Sequence, residues 1–290
     1  MYKRQARTVL KQASRYPDVS LDGLRQRIAQ WLDLDPASLL FGAGLDDVLK
    51  LVAQGLTKPG DKALIHIPTF PRYQLECQLA GVEVFAVRND PPWVITAGSI
   101  RTTLERTRFA LAFVCTPNNP TGARVDADEI RALAHDFGAT IFIVDEAMID
   151  PVEPGVLSLH KECKNVAVLR TFSKFFGLAG YRVGFIAAQP EIIMALEKVR
   201  PPFNVALISA AAAAAALGDS AFMDATRKKI AKERVQIDAA FAAFDHVRIA
   251  SAYANMLLVE TLNQRSDCLL YTSDAADDTP CVDLGGRRII

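Results

Sequence analysis

The chain has 290 residues, of which 50% are apolar and 23% are charged, and its 33 lysines and arginines balance its 33 aspartates and glutamates. This length allows one large domain or two of moderate size, with enough apolar residues for a core. The balanced charge gives no overall field that would attract nucleic acid or an anionic membrane, and no apolar run reaches the about 18 residues of a membrane-spanning helix.

Both ends of the chain differ from the remainder. The segments MYKRQ (1–5) and CLLYTSDAADDTPCVDLGGRRII (268–290) resemble translated sequencing-library adapters. CLLYTS can be back-translated into DNA that contains the reverse complement of most of a coding sequence for MYKRQ. We therefore expect both segments to be adapter-derived, the second to be disordered, and the natural gene to continue in both directions.

Between these ends, short apolar runs alternate with helical patterns. The runs rich in branched and aromatic residues predict strands at 62–67, 82–87, 109–115, 140–145, 165–170 and 183–188. The helical patterns predict helices at 45–56, 72–81 and 127–138. Such alternation is typical of an α/β fold with a mainly parallel sheet covered by helices on both faces, in which ligands bind beyond the carboxyl ends of the strands.

The pattern becomes helical after about residue 190. The alanine run at 210–216 predicts a tightly packed helix, a long helix is expected near 219–244, and 254–260 is expected to be the first strand of a smaller domain. We therefore divide the chain into an N-terminal segment, a large ligand-binding domain, and a linking helix with the start of the small domain, with bounds at 6–40, 41–215 and 216–267.

The segment GAGLDD (42–47) is rich in glycine and opens a predicted helix. Backbone amides at a helix start, together with the positive end of the helix dipole, can bind an anion, so Gly42, Ala43 and Gly44 are candidate phosphate-binding residues. The segment lacks the lysine of a Walker loop and the full dinucleotide-binding pattern. Taken alone, it is more commonly explained as a helix cap with Gly42 and Gly44 in a turn.

Polar residues also follow three of the predicted strands. TPNNPTG (116–122) forms a rigid turn that presents side-chain amides, although its asparagines could be purely structural. VDEAM (144–148) places Asp145 at the end of a buried strand, where a carboxylate is rare unless a cation is near. TFSKFFGLAGYRVGF (171–185) carries Lys174 and Arg182 in an apolar, glycine-dotted stretch, so these two cations are expected to face a ligand.

Together these groups fit the chemistry of pyridoxal 5'-phosphate. The cofactor requires a lysine amine for a Schiff base, a carboxylate that keeps its pyridine nitrogen protonated, a donor near its phenolic oxygen, and a phosphate site of amides, hydroxyls and an arginine. The four histidines show no metal-ligand spacing, so no metal is expected. The five cysteines also lack paired spacing, which favours a reduced, cytoplasmic location.

Seven segments resemble, in order, those of the fold-type-I aminotransferases, and most closely those of the histidinol-phosphate aminotransferase family. They cover nearly all of 15–205 and are RYPDVSLDGLRQRIA, GAGLDD, PTFPRY, TPNNPTG, VDEA, RTFSKFFGLAGYRVGF and VRPPFNV. The resemblance implies a seven-stranded, mainly parallel sheet between helices, followed by a small α+β domain that the adapter-like segment truncates. It also implies a homodimer.

The resemblance assigns a role to each candidate residue. Lys174 is implied to form the Schiff base and to transfer protons, Asp145 to pair with the pyridine nitrogen, Asn119 to donate to the phenolic oxygen, and Phe70 to stack on the ring. Tyr16 is implied to reach the phosphate from the partner subunit. The other implied phosphate-binding residues are Gly42, Ala43, Gly44, Thr171, Ser173 and Arg182.

One position departs from the family pattern. The family usually has a tyrosine three residues after the aspartate, where this chain has Met148, which cannot donate a hydrogen bond. The family's arginine for the substrate carboxylate is expected beyond the adapter junction, so the fragment is expected to be inactive.

The implied reaction is amino transfer from histidinol phosphate, or a similar amino-acid or amino-alcohol phosphate, to 2-oxoglutarate. Three alternatives stay open at this point. They are a decarboxylase that resembles the threonine-phosphate enzyme, an aminotransferase for another amino acid or an aromatic one, and a non-catalytic regulator that binds the cofactor.

Overall fold

The computed structural model describes residues 9, 11–12, 14–89, 93–251, 253 and 256–261. The adapter-like segments 1–5 and 268–290 lie outside these residues, so the expectation about them stays a prediction.

Seven strands form the central sheet. They are β1 (Leu39–Gly42), β2 (Lys62–Ile67), β3 (Glu83–Arg88), β4 (Leu111–Cys115), β5 (Ile141–Asp145), β6 (Val166–Thr171) and β7 (Gly184–Ala187). Their order across the sheet is β1-β7-β6-β5-β4-β2-β3, and β7 pairs antiparallel with both of its neighbours. The other pairings, from β6 to β3, are parallel, which confirms the predicted mainly parallel sheet.

Helices cover the sheet on both faces. They are α1 (Asp22–Leu32), α2 (Leu45–Leu56), α3 (Arg72–Leu79), α4 (Ala97–Leu104), α5 (Ala127–Asp136), α6 (Leu159–Glu162), α7 (Pro190–Glu197), α8 (Leu207–Ala216) and α9 (Ser220–Phe241). Side chains alternate along a strand, so Val144 joins the cluster of α1, α4, α5 and α8, while Ile143 joins that of α2, α3 and α7. Both faces are therefore apolar, and the strands read as continuous hydrophobic runs.

The parallel register brings the carboxyl ends of the central strands to one edge. Cys115 at the end of β4 lies opposite Asp145 at the end of β5, and Asp145 lies opposite Leu169 of β6. The polar residues that follow these strands are therefore neighbours in space, although they are far apart in the sequence.

A separate two-stranded sheet follows α9. Its strands are β8 (Val247–Ser251) and β9 (Leu258–Thr261), which pair antiparallel. The prediction that the first strand of this part lies at 254–260 was wrong, because β8 precedes it. The segment VRIAS is only five residues long, which gives a weak strand pattern shortly after a long helix.

Among the residues that the structure describes, no single helix is long and apolar enough to span a membrane. Helices α8 and α9 together satisfy the length and composition, but they are bent by 74°.

Candidate active site

The carboxylate of Asp145 lies buried at the carboxyl end of β5, with only 3% of the residue exposed. Its Oδ2 accepts a hydrogen bond of 2.7 Å from the hydroxyl of Tyr73, and its Oδ1 accepts one of 2.8 Å from the amide of Ala147. Burial raises the pKa of Asp145, whereas these two donors and the positive charge of Lys174 act to lower it. The charge of this carboxylate therefore depends on its neighbours.

Lys174 lies in the turn that follows β6 and is half-buried. Its backbone carbonyl accepts a 2.9 Å hydrogen bond from the amide of Gly177, which closes the turn. Its ammonium group is near enough to Asp145 to stabilise the ionised carboxylate. An amine and a buried carboxylate from adjacent strands therefore face the same space at the edge of the sheet.

Asn118 joins the two turns that carry Asn119 and Phe70. Its wholly buried side chain accepts a 2.7 Å hydrogen bond from the hydroxyl of Thr69 and donates a 3.0 Å hydrogen bond to the carbonyl of Pro68. A further hydrogen bond of 2.8 Å joins it to Thr121 within its own turn. Asn119 and Phe70 themselves are half-buried, and Asn118 fixes the turns on which they lie.

Tyr73, in the first turn of α3, is held between aromatic rings. Its ring stacks on Phe113 at 5.0 Å with an interplanar angle of 17°, and Phe70 contacts it edge-on at 5.7 Å. Burial, and then the negative charge of Asp145, raise the pKa of the Tyr73 hydroxyl well above 10.0. The hydroxyl therefore stays protonated and remains a hydrogen-bond donor at neutral pH.

Arg182 lies against the glycine turn between β1 and α2. Gly44 has φ 85°, and a Cβ at this position would be 2.6 Å from Nη2 of Arg182. The same Nη2 donates a 3.1 Å hydrogen bond to Oδ2 of Asp46 in the first turn of α2. A glycine is required at position 44 both for the backbone conformation and for the close approach of the guanidinium.

The amides of the glycine turn have acceptors within the protein. Ala43 donates to Oδ2 of Asp47 at 2.9 Å, and Gly44 donates to the carbonyl of Gly42 at 2.8 Å. The expectation that the Ala43 and Gly44 amides bind an anion stays a prediction, and an anion would compete there with these acceptors. The first turn of an α-helix has no intrahelical acceptor for its amides, so the start of α2 can offer further donors to an anion.

Two hydroxyls lie close together at the end of β6. The hydroxyl of Thr171 is 3.0 Å from that of Ser173, donates to the carbonyl of Val183 at 3.2 Å, and accepts a hydrogen bond from the amide of Ser173 at 3.1 Å. Thr171 lies opposite Gly184 in the sheet, and Gly184 pairs with Gly42 on its other side. The hydroxyls, the start of α2 and Arg182 therefore lie at the same edge of the sheet, around the ends of β6, β7 and β1.

Met148 supplies no hydrogen-bond donor, and Cys115 supplies no nucleophile. Met148 lies buried in the turn after β5, and its thioether has no hydrogen to donate. Burial raises the pKa of the Cys115 thiol to about 12, so it stays protonated at neutral pH. Cys115, the last residue of β4, is therefore a buried, unreactive thiol.

Tyr16 differs from the other candidate residues because 81% of it is exposed. Its ring stacks on Phe203 at 4.7 Å with an interplanar angle of 27°. The pair places two aromatic rings at the surface of a single chain.

Several supporting residues lie in motifs that the sequence analysis quoted without giving these residues a role. Tyr73 in PTFPRY, Asn118 in TPNNPTG and Asn204 in VRPPFNV all hold other site residues in place. The side-chain amide of Asn204 donates to Oδ2 of Asp47 at 2.8 Å and to the carbonyl of Phe41 at 3.0 Å. The motifs indicated that these residues lie near the site, but a single sequence does not reveal which groups they hydrogen-bond.

The residues present fit pyridoxal 5'-phosphate. The buried carboxylate of Asp145 suits the pyridine nitrogen, and the half-buried amine of Lys174 suits the aldehyde carbon. The hydroxyls, the helix start and the arginine suit the phosphate. Gly44 has no Cβ, which allows the guanidinium of Arg182 to lie against the glycine turn. No cluster of three metal-ligating side chains occurs in the described part of the chain.

The sequence matches the family model for aminotransferase class I and II over residues 3–276. A histidinol-phosphate aminotransferase from Ruminiclostridium cellulolyticum is 30% identical over 270 residues, which cover 91% of this chain and 75% of that protein. Another from Staphylococcus haemolyticus is 38% identical over 224 residues, which cover 76% of this chain and 63% of that protein. The chain thus spans between about three fifths and three quarters of these two relatives.

The fold is similar to that of a solved enzyme. The crystal structure of histidinol-phosphate aminotransferase from Sinorhizobium meliloti in complex with pyridoxal-5'-phosphate matches with a TM-score of 0.80 and 25% sequence identity. The match covers 87% of this chain and 69% of that one.

Proposed function

The chain belongs to the class I and II aminotransferase family, and we propose that it acts in the transfer of the amino group of histidinol phosphate to 2-oxoglutarate, with pyridoxal 5'-phosphate as its cofactor. The observation that carries this proposal is the buried carboxylate of Asp145 at the end of β5, which is 3% exposed. The positive charge of Lys174, in the turn after the neighbouring strand β6, acts to lower the pKa of this carboxylate. Two such groups are what the pyridine nitrogen and the reactive carbon of the cofactor require.

When bound, the cofactor supplies an electron sink for the electrons released at the amino carbon. Asp145 holds a proton on the pyridine nitrogen through its negative charge, which strengthens that sink. Lys174 Nζ would hold the cofactor and, once released from it, would move the proton that amino transfer requires. Asp145 ends β5 and Lys174 lies in the turn after β6, so the same edge of the sheet carries both groups.

The other candidate residues bind and orient the cofactor. Asn119 donates to its phenolic oxygen, and Phe70 covers one face of its ring. The start of α2 and the side chains of Thr171, Ser173 and Arg182 hold the phosphate. The guanidinium suits this task because it offers two parallel donors to an oxyanion.

The choice of substrate rests on the relatives. Both are named histidinol-phosphate aminotransferases, at 30% and 38% identity, and the solved enzyme bears the same name. We extend this substrate pair to the present chain as part of the proposal. The same proposal includes the domain division. Residues 41–215 would form the cofactor-binding domain, and residues 216–267 would form a linking helix with the start of a small domain.

The proposal also includes a cytoplasmic homodimer. Tyr16 stacks on Phe203 at the surface, and both side chains are exposed in the single chain. In a dimer, the hydroxyl of Tyr16 would reach the phosphate of the partner's cofactor, and burial of the two rings would stabilise the interface.

The test is covalent trapping of the cofactor. The purified chain is incubated with pyridoxal 5'-phosphate, reduced with borohydride, digested and analysed by mass spectrometry. We expect the added mass on the peptide that contains Lys174, and its loss in Lys174→Ala. The control is Lys164→Ala, because Lys164 is exposed and lies before β6, at the opposite end of that strand. Cofactor trapped equally in Lys174→Ala would overturn the proposed site.

Product analysis separates the reaction from its alternative. With the full-length protein, histidinol phosphate and 2-oxoglutarate, we expect glutamate, with no release of carbon dioxide. Carbon dioxide released from threonine phosphate, without glutamate, would instead favour the decarboxylase.

A further inference from the structure

We propose that Tyr73 is a positioning residue, which holds Asp145 ionised and correctly oriented for the cofactor and also supports Phe70. The inference rests on the proposed function, because it concerns two residues through which the chain would contact the cofactor ring. It starts from the 2.7 Å hydrogen bond between the Tyr73 hydroxyl and Oδ2 of Asp145, two residues that are 72 positions apart.

Asp145 needs such a donor because of its burial. A carboxylate removed from water is less stable as an anion than as a neutral acid. Only the anion can stabilise a protonated pyridine nitrogen by charge. Each hydrogen bond donated to the carboxylate offsets part of the lost hydration and favours the ionised form.

The donors Ala147 and Tyr73 differ in how they depend on the sequence. The amide of Ala147 donates to Oδ1 from the backbone two residues further on, and any residue except proline at 147 would supply it. The donor to Oδ2 is a side chain that only a tyrosine at 73 supplies in this position. Because the Tyr73 hydroxyl stays protonated, it donates its hydrogen bond to the Asp145 anion and does not itself carry a negative charge.

Tyr73 also links Asp145 to Phe70. Its ring is 1% exposed and fixed by stacking on Phe113, so the hydroxyl has a single direction. Phe70 packs edge-on against the same ring at 5.7 Å. One buried side chain thus contacts both the carboxylate expected at the pyridine nitrogen and the ring expected at the cofactor face.

The test uses Tyr73→Phe, which removes the hydroxyl and keeps the ring. We measure the dissociation constant of pyridoxal 5'-phosphate for the cofactor-free chain, and the pH midpoint of the absorbance change of the bound cofactor. Tyr253→Phe is the matched control, because Tyr253 is half-exposed and its ring packs on Arg124. Thermal unfolding of each cofactor-free variant tests whether its fold is retained.

We expect the dissociation constant of Tyr73→Phe to rise about ten- to a hundredfold, the size expected for one hydrogen bond to a charged group. The pH midpoint should rise as well. Without the Tyr73 hydroxyl, Asp145 would keep the pyridine nitrogen protonated in a smaller fraction of molecules. The smaller positive charge on the ring would then oppose protonation at Nζ of Lys174 less strongly. Tyr253→Phe should match the wild type in both measurements.

A second variant shows whether Tyr73 acts through Asp145. If it does, adding Tyr73→Phe to Asp145→Asn should change the dissociation constant and the midpoint much less than adding it to the wild type. Equal effects in both backgrounds, or a Tyr73→Phe variant that binds and titrates like the wild type, would overturn the inference while leaving the proposed function intact. A wild-type chain that binds no cofactor would instead overturn the proposed function.

Discussion

The guanidinium of Arg182 occupies the space in which Gly44 would carry a Cβ, at 2.6 Å from Nη2. Gly44 also has φ 85°, a conformation that other residues adopt only under strain. The phosphate side of the site therefore depends on the absence of a single methyl group.

The first prediction concerns Gly44→Ala. Both Gly44→Ala and Gly60→Ala should lower the free energy of unfolding by about 1–3 kcal/mol, because both backbones have positive φ. Only Gly44→Ala should also raise the dissociation constant of the cofactor, by about tenfold or more, because it displaces a charge-assisted donor. Urea unfolding and cofactor titration measure the two effects. Gly60 has open space around its missing Cβ, so equal cofactor affinity in both variants would contradict the assignment of Arg182.

The second prediction concerns the stability of the cofactor-free protein. Burial raises the pKa of Asp145 above 3.8, so the folded protein keeps a proton that the unfolded chain has lost. The contribution of this group to stability is therefore complete below pH 3.8 and is lost as the pH rises through the folded pKa. Asp145→Asn removes this pH dependence, so the free energy of unfolding of the variant, relative to that of the wild type, should increase as the pH rises from 3.8 through the folded pKa of Asp145. The variant should also bind the cofactor more weakly.

Urea unfolding at a series of pH values measures this difference. Asp136→Asn is a control of opposite sign, because a hydrogen bond from Arg101 lowers the pKa of this exposed carboxylate. The contribution of Asp136 to the free energy of unfolding is present above pH 3.8 and is lost as the pH falls through the folded pKa. The free energy of unfolding of Asp136→Asn should therefore increase relative to that of the wild type as the pH is lowered. Parallel pH curves for wild type and Asp145→Asn would show that burial does not perturb Asp145.

The third prediction concerns Met148, where the family usually has tyrosine. Met148→Tyr should lower the pH midpoint of the bound cofactor's absorbance, because a hydroxyl beside Asn119 would donate to the phenolic oxygen and favour its anionic form. Met148→Phe adds a ring without the hydroxyl and controls for the change in volume at this buried position. A shift of the same size in both variants would show that packing, and not hydrogen bonding, is responsible.

The fourth prediction concerns Tyr16 and the dimer. Tyr16→Ala should leave the stability of the cofactor-free chain nearly unchanged, because the residue is 81% exposed, and should weaken cofactor binding. If Tyr16 acts on the partner's site, equal mixing of Tyr16→Ala and Lys174→Ala chains should restore tight binding in about a quarter of the chains, through heterodimers with one intact site. Reductive trapping at limiting cofactor measures the restored fraction. The absence of any restoration would place Tyr16 in its own chain's site or outside it.

The agreement between sequence and structure is greatest where the local pattern is strong. The predicted strand at 62–67 and the predicted helix at 45–56 match β2 and α2. Helix α1 was not predicted, because its N-cap residue is Leu21, whose side chain cannot cap the helix, and so a start signal is lacking. Strand β1 was missed because four residues are too few to show a period.

The sequence by itself determined the alternation of strands and helices, the motifs that carry Lys174, Asp145 and Arg182, and through them the expected cofactor. These follow from local composition and from residue types that are rare in buried positions unless they are paired. The tertiary structure alone decided which donors meet which acceptors. The Ala43 amide is taken by Asp47, and the hydroxyl of Tyr73 reaches Asp145 across 72 residues. Such contacts depend on the register of the sheet and on the packing of α3 against it, and no local pattern in the sequence encodes that geometry.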